Sequence, residues 1–97
     1  MRDTQTPLYS LAARALLDLV DDVSARRGVT RDELLGRSRT RAVVAARQEL
    51  WWLIRYHPGR CYSYAEIAAI VGRDPSTVVH AIAAHQRRLL LGQAAPA

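Results

Sequence analysis

The sequence contains no lysine, no phenylalanine, one cysteine and one methionine in 97 residues. With a single thiol, Cys61, no internal disulfide can form, and a reducing cytoplasm is the expected setting. No window approaches the roughly 18 consecutive apolar residues of a membrane span, so no membrane partner is expected. The N-terminus MRDTQTPLYS has no apolar run behind Arg2, so no secretion signal is expected either. Strand-like alternation of apolar and polar residues, internal repeats and a Gly-rich phosphate loop are all missing. The first of these absences points to an all-α fold. The last excludes ATP-driven chemistry from these residues. Metal and catalytic constellations are missing too. Cys61 stands alone, and His80 and His85, five positions apart, fall on different faces of a helix. His57 lies near Cys61 without an acid to orient it, and no carboxylate pair has hydrolytic spacing. The expectation is therefore no metal, no cofactor, no catalytic residue and no enzyme.

What is present is arginine and helix. All 14 basic residues are Arg against nine acids, a net charge of +5 and a pI near 10.3. Coding from a GC-rich genome accounts for such a bias. Its physical result is the same whatever the cause, because the guanidinium fork matches anionic oxygens and guanine edges better than an ammonium does. The charge is unevenly placed. Residues 1–36 hold five Arg and six acids, 37–60 hold six Arg and one acid, and 61–97 hold three Arg and two acids. A positive middle of this kind implies a polyanionic partner. Hydrophobic content of 49% suffices for one small core, hence one domain over 1–92. Residues 93–97, QAAPA, read as a tail or the start of a linker, with the chain as the front of a longer protein.

Five helices are expected. Thr6 and Pro7 open the first as N-cap and first helical residue. Leu8, Leu11, Ala12, Ala15, Leu16, Leu19, Val20 and Val23 then recur at helical spacing until Gly28. Thr30–Glu33 is a capping box for a short helix over Arg31–Leu35, stopped by Gly36. A long helix follows from about Ala42 to Tyr56, with Val43, Arg47, Leu50 and Ile54 on one stripe and His57-Pro58-Gly59 as its stop. Adjacent Trp51 and Trp52 point about 100° apart, so one is core and the other covers a neighbouring helix or a partner. Tyr56, Tyr62 and Tyr64 read as core-edge packing. Ser63–Glu66 is a second capping box, for a two-turn helix ending near Ile70 with Ile67, Ala68 and Val71 inward. Gly72 makes a bend, Asp74 caps the last helix, and Pro75 takes its first position. Val78, Val79, Ile82, Ala83 and Leu89 or Leu90 are its expected buried side, fading at Leu91-Gly92.

Short helix, glycine turn and second helix together read as a helix-turn-helix for double-stranded DNA. The first turns of the last helix offer Asp74, Pro75, Ser76, Thr77 and His80 to base edges and phosphates. The run Arg37-Ser38-Arg39-Thr40-Arg41 lies in a loop ahead of a helix, as an arm that enters a minor groove or straddles the backbone. Arg47 and Gln48 follow on that helix.

The segments RSRTRAVVAARQELWWL and IAAIVGRDPSTVVHAI resemble the C-terminal DNA-binding domain of the bacterial replication initiator DnaA. The likeness runs from about Leu34 to Leu89. The first segment matches that family's basic loop followed by an Arg-Gln helix. The second matches its signature Gly-Arg-Asp-His-Thr-Thr-Val-x-His-Ala, and the fold it implies is Trp-repressor-like. The resemblance implies that Arg39 enters the minor groove and that Arg47 and Gln48 contact DNA. It also implies that Arg73, Asp74, Ser76 and Thr77 serve the major groove and phosphates, and that His80 packs and orients. Pro75 replaces the signature His and Ser76 replaces Thr, so the bases read should differ from the family's usual box. The expected role is transcription regulation, in the setting of a phage-like element. An accessory that occupies replication origins without an ATPase is the alternative, and a protein-interaction module built on an exposed Trp and the acidic first helix is a third reading. Transcription or replication machinery would be the further partner. Oligomeric state is left open.

Overall fold

A computed structural model describes Leu11 and residues 14–92 of the chain. These residues form α1 (Leu17–Arg27), α2 (Arg31–Leu35), α3 (Arg41–Arg55), α4 (Tyr64–Val71) and α5 (Pro75–Leu90), with no strand among them. The fold is all-α, as the sequence implies. The Thr6-Pro7 start, Leu8, Ala12 and the 93–97 tail lie outside the described residues.

α3 is the central element because its apolar stripe is the longest. Val43, Ala46, Leu50, Trp51 and Ile54 are all buried on it. α5 lies along α3, α1 packs on it as well, and α4 braces α5 from the other side. Both capping boxes are present with both arms closed. Thr30 Oγ1 accepts from Glu33 N–H at 3.0 Å while Glu33 Oε1 accepts from Thr30 N–H at 2.8 Å. Ser63 and Glu66 repeat the arrangement at 3.0 and 2.8 Å. Each box satisfies two helix-end donors that would otherwise face water alone.

The first helix is not continuous. Ala15, expected on a buried face, is exposed with φ +58°, and α1 begins only at Leu17. Leu16 N–H donates to Leu11 carbonyl at 2.9 Å across this break. The reason is packing. Residues five apart on one helix point about 140° away from each other, yet Leu11 and Leu16 are both fully buried. An alanine in the left-handed region costs of the order of 1 kcal/mol, less than about 1.5–3 kcal/mol for burying a leucine. Alanine-rich sequence gives no local sign of the break.

The buried side of α5 also differs from expectation. Val78, Ile82 and His85 face inward, while Val79, Leu89 and Leu90 are exposed. Positions i, i+4 and i+7 make the stripe, and His85 fills its third place because Trp52 covers it, with ring centroids 5.2 Å apart. Trp51 is in the core, whereas Trp52 is half-buried between His85 and Tyr56. Tyr62 is buried and Tyr64 half-buried, but Tyr56 is exposed rather than packed at the core edge. Asp74 has the extended backbone of an N-cap, but its side chain makes no capping bond. Among the described residues, no helix is long and apolar enough to cross a membrane.

Four acids form ion pairs among the described residues. Glu49 of α3 receives Arg27 Nε at 2.6 Å and Arg26 Nη1 at 3.0 Å from α1. Arg31 pairs with Asp21, Arg26 with Asp22 and Arg60 with Glu66. Burial pushes the Glu49 carboxyl up, but the bonds and charges of Arg27 and Arg26 outweigh it and hold the pKa below the ordinary glutamate value. A carboxylate with a depressed pKa stabilises the folded state above its unfolded pKa and loses that effect as pH falls through the folded one. Glu49→Gln should therefore lower stability by about 1 kcal/mol at pH 7. The gap to wild type should close on acidification below the ordinary glutamate range. Urea titrations of both proteins across pH 3–7 check this, and a gap constant with pH would exclude the ion pair as its source.

Candidate nucleic-acid interface

α4 and α5 are joined by Gly72-Arg73-Asp74. Gly72 closes α4 at φ +71°, ψ +39°, a conformation in which any Cβ is strained, and Arg73 N–H then donates to Ala68 carbonyl at 3.0 Å. The turn is thus a helix C-cap and a helix start only three residues apart. It aims the first turn of α5 outward, leaving Asp74, Pro75, Ser76 and Thr77 exposed. Because the Asp74 carboxylate does not cap, the opening amides of α5 keep no side-chain acceptor. Open amides and the helix dipole together favour an anion there.

The second component is the 36–40 loop. Arg47 of α3 is turned away from solvent, at 6% exposure, and its fork grips the backbone on either side of the loop. Nε donates to Leu34 carbonyl at 3.1 Å, Nη2 to Glu33 carbonyl at 2.8 Å and Nη1 to Ser38 carbonyl at 3.0 Å. Arg73 Nη2 donates to the carbonyl of Gly36, tying the helix-turn-helix to the loop. Arg37 and Arg39 project from the loop and Arg41 from the first turn of α3; all three are exposed, and none has an ion pair among the described residues.

Two hollows record how these parts meet. One of about 710 Å³ is lined by Arg37, Arg39, Arg73, Asp74 and Thr77 over a floor of Ala68, Ala69 and Gly72. The other, about 340 Å³, lies between α3 and α5 and is lined by Val44, Arg47, Gln48, Trp51, Arg73, Thr77, His80 and Ala81. Arg73 and Thr77 line both, so the hollows form one strip. Pro75 and Ser76 precede Thr77 at the start of α5 and Arg41 opens α3, and none of the three lines either hollow. Asp74 is the one carboxylate in the lining of either hollow, and the guanidiniums there crowd one another. Burial, then the charges of Arg73 and Arg37, lower the Arg47 pKa; burial, then Arg37, lower that of Arg73. Guanidiniums stay charged under such pressure, so the strip holds positive charge that an outside anion would relieve.

The structure also separates roles that sequence spacing runs together. Arg47 points at carbonyls rather than solvent. Gln48 Oε1 accepts from Arg88 Nη2 at 2.6 Å. His80 is exposed on the rim, and the packing task expected of it is carried by His85, one face round the helix. Residues not anticipated are Arg88, which holds Gln48, and Trp51, whose ring lies 5.6 Å beneath the Arg73 guanidinium. Gly36, read only as a helix stop, accepts the Arg73 bond. No local spacing signals these three. Among the described residues no three His, Cys, Asp or Glu side chains gather as a metal cage.

The chain matches the family model "Bacterial dnaA protein helix-turn-helix" over residues 18–84. It is 36% identical over 64 residues to the chromosomal replication initiator protein DnaA of Kosmotoga olearia, covering 66% of this chain and 14% of that protein. It is 39% identical over 67 residues to the same initiator of Deinococcus radiodurans, covering 69% of this chain and 14% of that one. The chain thus spans a small part of the length of these relatives. No solved structure matches it. A match over more than half of the chain, together with the turn and loop geometry above, establishes that the chain belongs to the bacterial DnaA helix-turn-helix family of DNA-binding domains.

Proposed function

We propose that the protein reads specific sites in double-stranded DNA with this strip, in the cytoplasm, and acts by occupying those sites as a transcription regulator. The observation that carries the reading is that Arg37 and Arg39 share one hollow with Arg73 and Thr77. A duplex placed on α5 is then within reach of the arm at the same time. In this reading Ser76, Thr77 and the apolar face of Pro75 meet base edges in the major groove. The α5 amides, Gln48 and His80 hold phosphates, and Arg39 enters the neighbouring minor groove with Arg37 and Arg41 on the flanking strand. Arg47 serves by shaping the loop. Pro75 has no donor, so thymine methyls are the feature it suits.

Membership of a family that includes replication initiators favours a second reading, occupancy of replication origins. A genome-wide occupancy map separates the two. Enrichment at promoters, with altered transcripts in a deletion strain, supports regulation; enrichment at origins, with altered initiation, overturns it. The docking surface proposed for an exposed Trp has lost its basis, since Trp51 is buried and Trp52 is packed on His85.

Binding itself is tested with duplexes selected from a random pool. Thr77→Ala should weaken the selected duplex by about 1–3 kcal/mol and a scrambled duplex much less. Equal losses on both would remove Thr77 from base reading. No measurable duplex binding would remove the DNA reading altogether, and binding insensitive to salt would take the arginines of the strip off the phosphates.

A further inference from the structure

The Gly36–Thr40 loop has no regular secondary structure, yet two guanidiniums from elsewhere in the chain fasten it. Arg47 holds Glu33 and Leu34 on one side and Ser38 on the other. Arg73 holds Gly36 from the helix-turn-helix, and Trp51 lies under Arg73. We propose that Arg47 and Arg73 are positioning residues that brace this loop, fixing the distance between its exposed arginines and the first turn of α5 before any DNA arrives. The inference rests on the reading of this face as a duplex-binding surface, and it adds the element that sets the arm's register.

Three observations support the brace. Arg47 is almost wholly buried and its fork is committed to carbonyls, so its charge faces the protein rather than a phosphate. Gly36 sits where a Cβ would lie 2.9 Å from the Asp32 carbonyl oxygen, so the loop leaves α2 along a path that only glycine fits without a shift. The Arg73 bond joins residues 37 apart in sequence, and Arg73 itself lines the larger hollow beside Arg37 and Arg39. A loop already ordered loses less conformational freedom on binding.

Two variants disturb the brace without removing charge. Gly36→Ala forces the loop away from Asp32. Arg47→Lys keeps the charge and loses the fork. Each should weaken a selected duplex about tenfold, with the salt slope of wild type. Each loss should fall below about twofold once Arg37, Arg39 and Arg41 are already alanine, because the brace acts through them. Melting curves confirm that the proteins compared are folded at the assay temperature. Wild-type affinity in Arg47→Lys, or losses undiminished in the triple-alanine background, would overturn the brace. Nitrogen-15 relaxation of the DNA-free proteins gives a reading independent of any duplex. Amides 37–40 should be as rigid as α3 in wild type and mobile on the nanosecond scale in Gly36→Ala. Equal mobility in the two proteins also overturns the brace. A rigid wild-type loop in a protein that binds no duplex would instead sink the DNA reading and leave the brace standing.

Discussion

Replacing Arg47 with alanine should lower the melting temperature by about 15 °C, corresponding to about 3 kcal/mol in a domain of this size. Three carbonyls lose a donor at once: Leu34 at the end of α2, Ser38 in the loop, and Glu33, which keeps the Gly36 N–H at 3.3 Å. A buried acceptor left without a partner costs about 1–3 kcal/mol. Two of the three are reached only by atoms that are partly buried, so water recovers some of this. Release of the guanidinium from burial and from its repulsion by Arg73 and Arg37 offsets a further part. What remains is the lost bonding and the lost packing of the side chain's methylene stem against α2. Arg47→Met, which keeps the stem, should recover about 1 kcal/mol of the loss. Thermal and urea unfolding of the three proteins measure this order. An Arg47→Ala protein within about 2 °C of wild type would mean that the loop carbonyls are equally well served by water, and that the fork does not hold the loop.

That result also marks where sequence reading stops. Both capping boxes, the Gly72 bend and Pro75 at the start of α5 are local patterns, and local patterns are what a sequence displays directly. The stripe Val43, Arg47, Leu50, Ile54 already placed Arg47 on the inward face of α3. The family likeness pulled the other way, toward DNA, and packing decided in favour of the stripe. The break at Ala15 was invisible because nothing local requires it; only the joint burial of Leu11 and Leu16 does. His85 was read past as one of two histidines on different faces, since a buried histidine is chosen by its neighbour Trp52 and not by its own segment. Of the residues singled out, Arg37, Arg39, Arg47, Gln48, Arg73, Asp74, Thr77 and His80 line the two hollows, because helix starts and basic loops are local patterns. The cross-links among Arg73, Gly36, Arg88 and Gln48 are not, since each joins segments that meet only after folding.

Replacing Arg37, Arg39 and Arg41 together by alanine should leave stability intact and weaken duplex binding by about two to three orders of magnitude near 0.1 M salt. The three side chains are exposed and have no ion pair among the described residues, while Asp21, Asp22, Glu49 and Glu66 are paired with Arg26, Arg27, Arg31 and Arg60. Arg37 moreover repels both Arg47 and Arg73, so its removal eases two guanidiniums that the fold holds in place. The melting temperature should therefore stay level or rise slightly. DNA binding should respond in the opposite sense. Each phosphate neutralised contributes about 0.9 to the slope of log K against log salt, so loss of three cations should lower that slope by about 2.7. At roughly 0.1 M salt this is about two to three orders of magnitude in affinity, shrinking as salt rises. Titrations of one selected duplex at four salt concentrations give slope and affinity together. In the proposed mode Arg37 and Arg41 serve the strand and Arg39 a minor groove whose base code is degenerate, so the affinity ratio between selected and scrambled duplexes should change far less than either affinity. A triple variant that binds with wild-type salt dependence would place the duplex elsewhere on the molecule. One that binds weakly but also melts early would show that these arginines hold the fold instead.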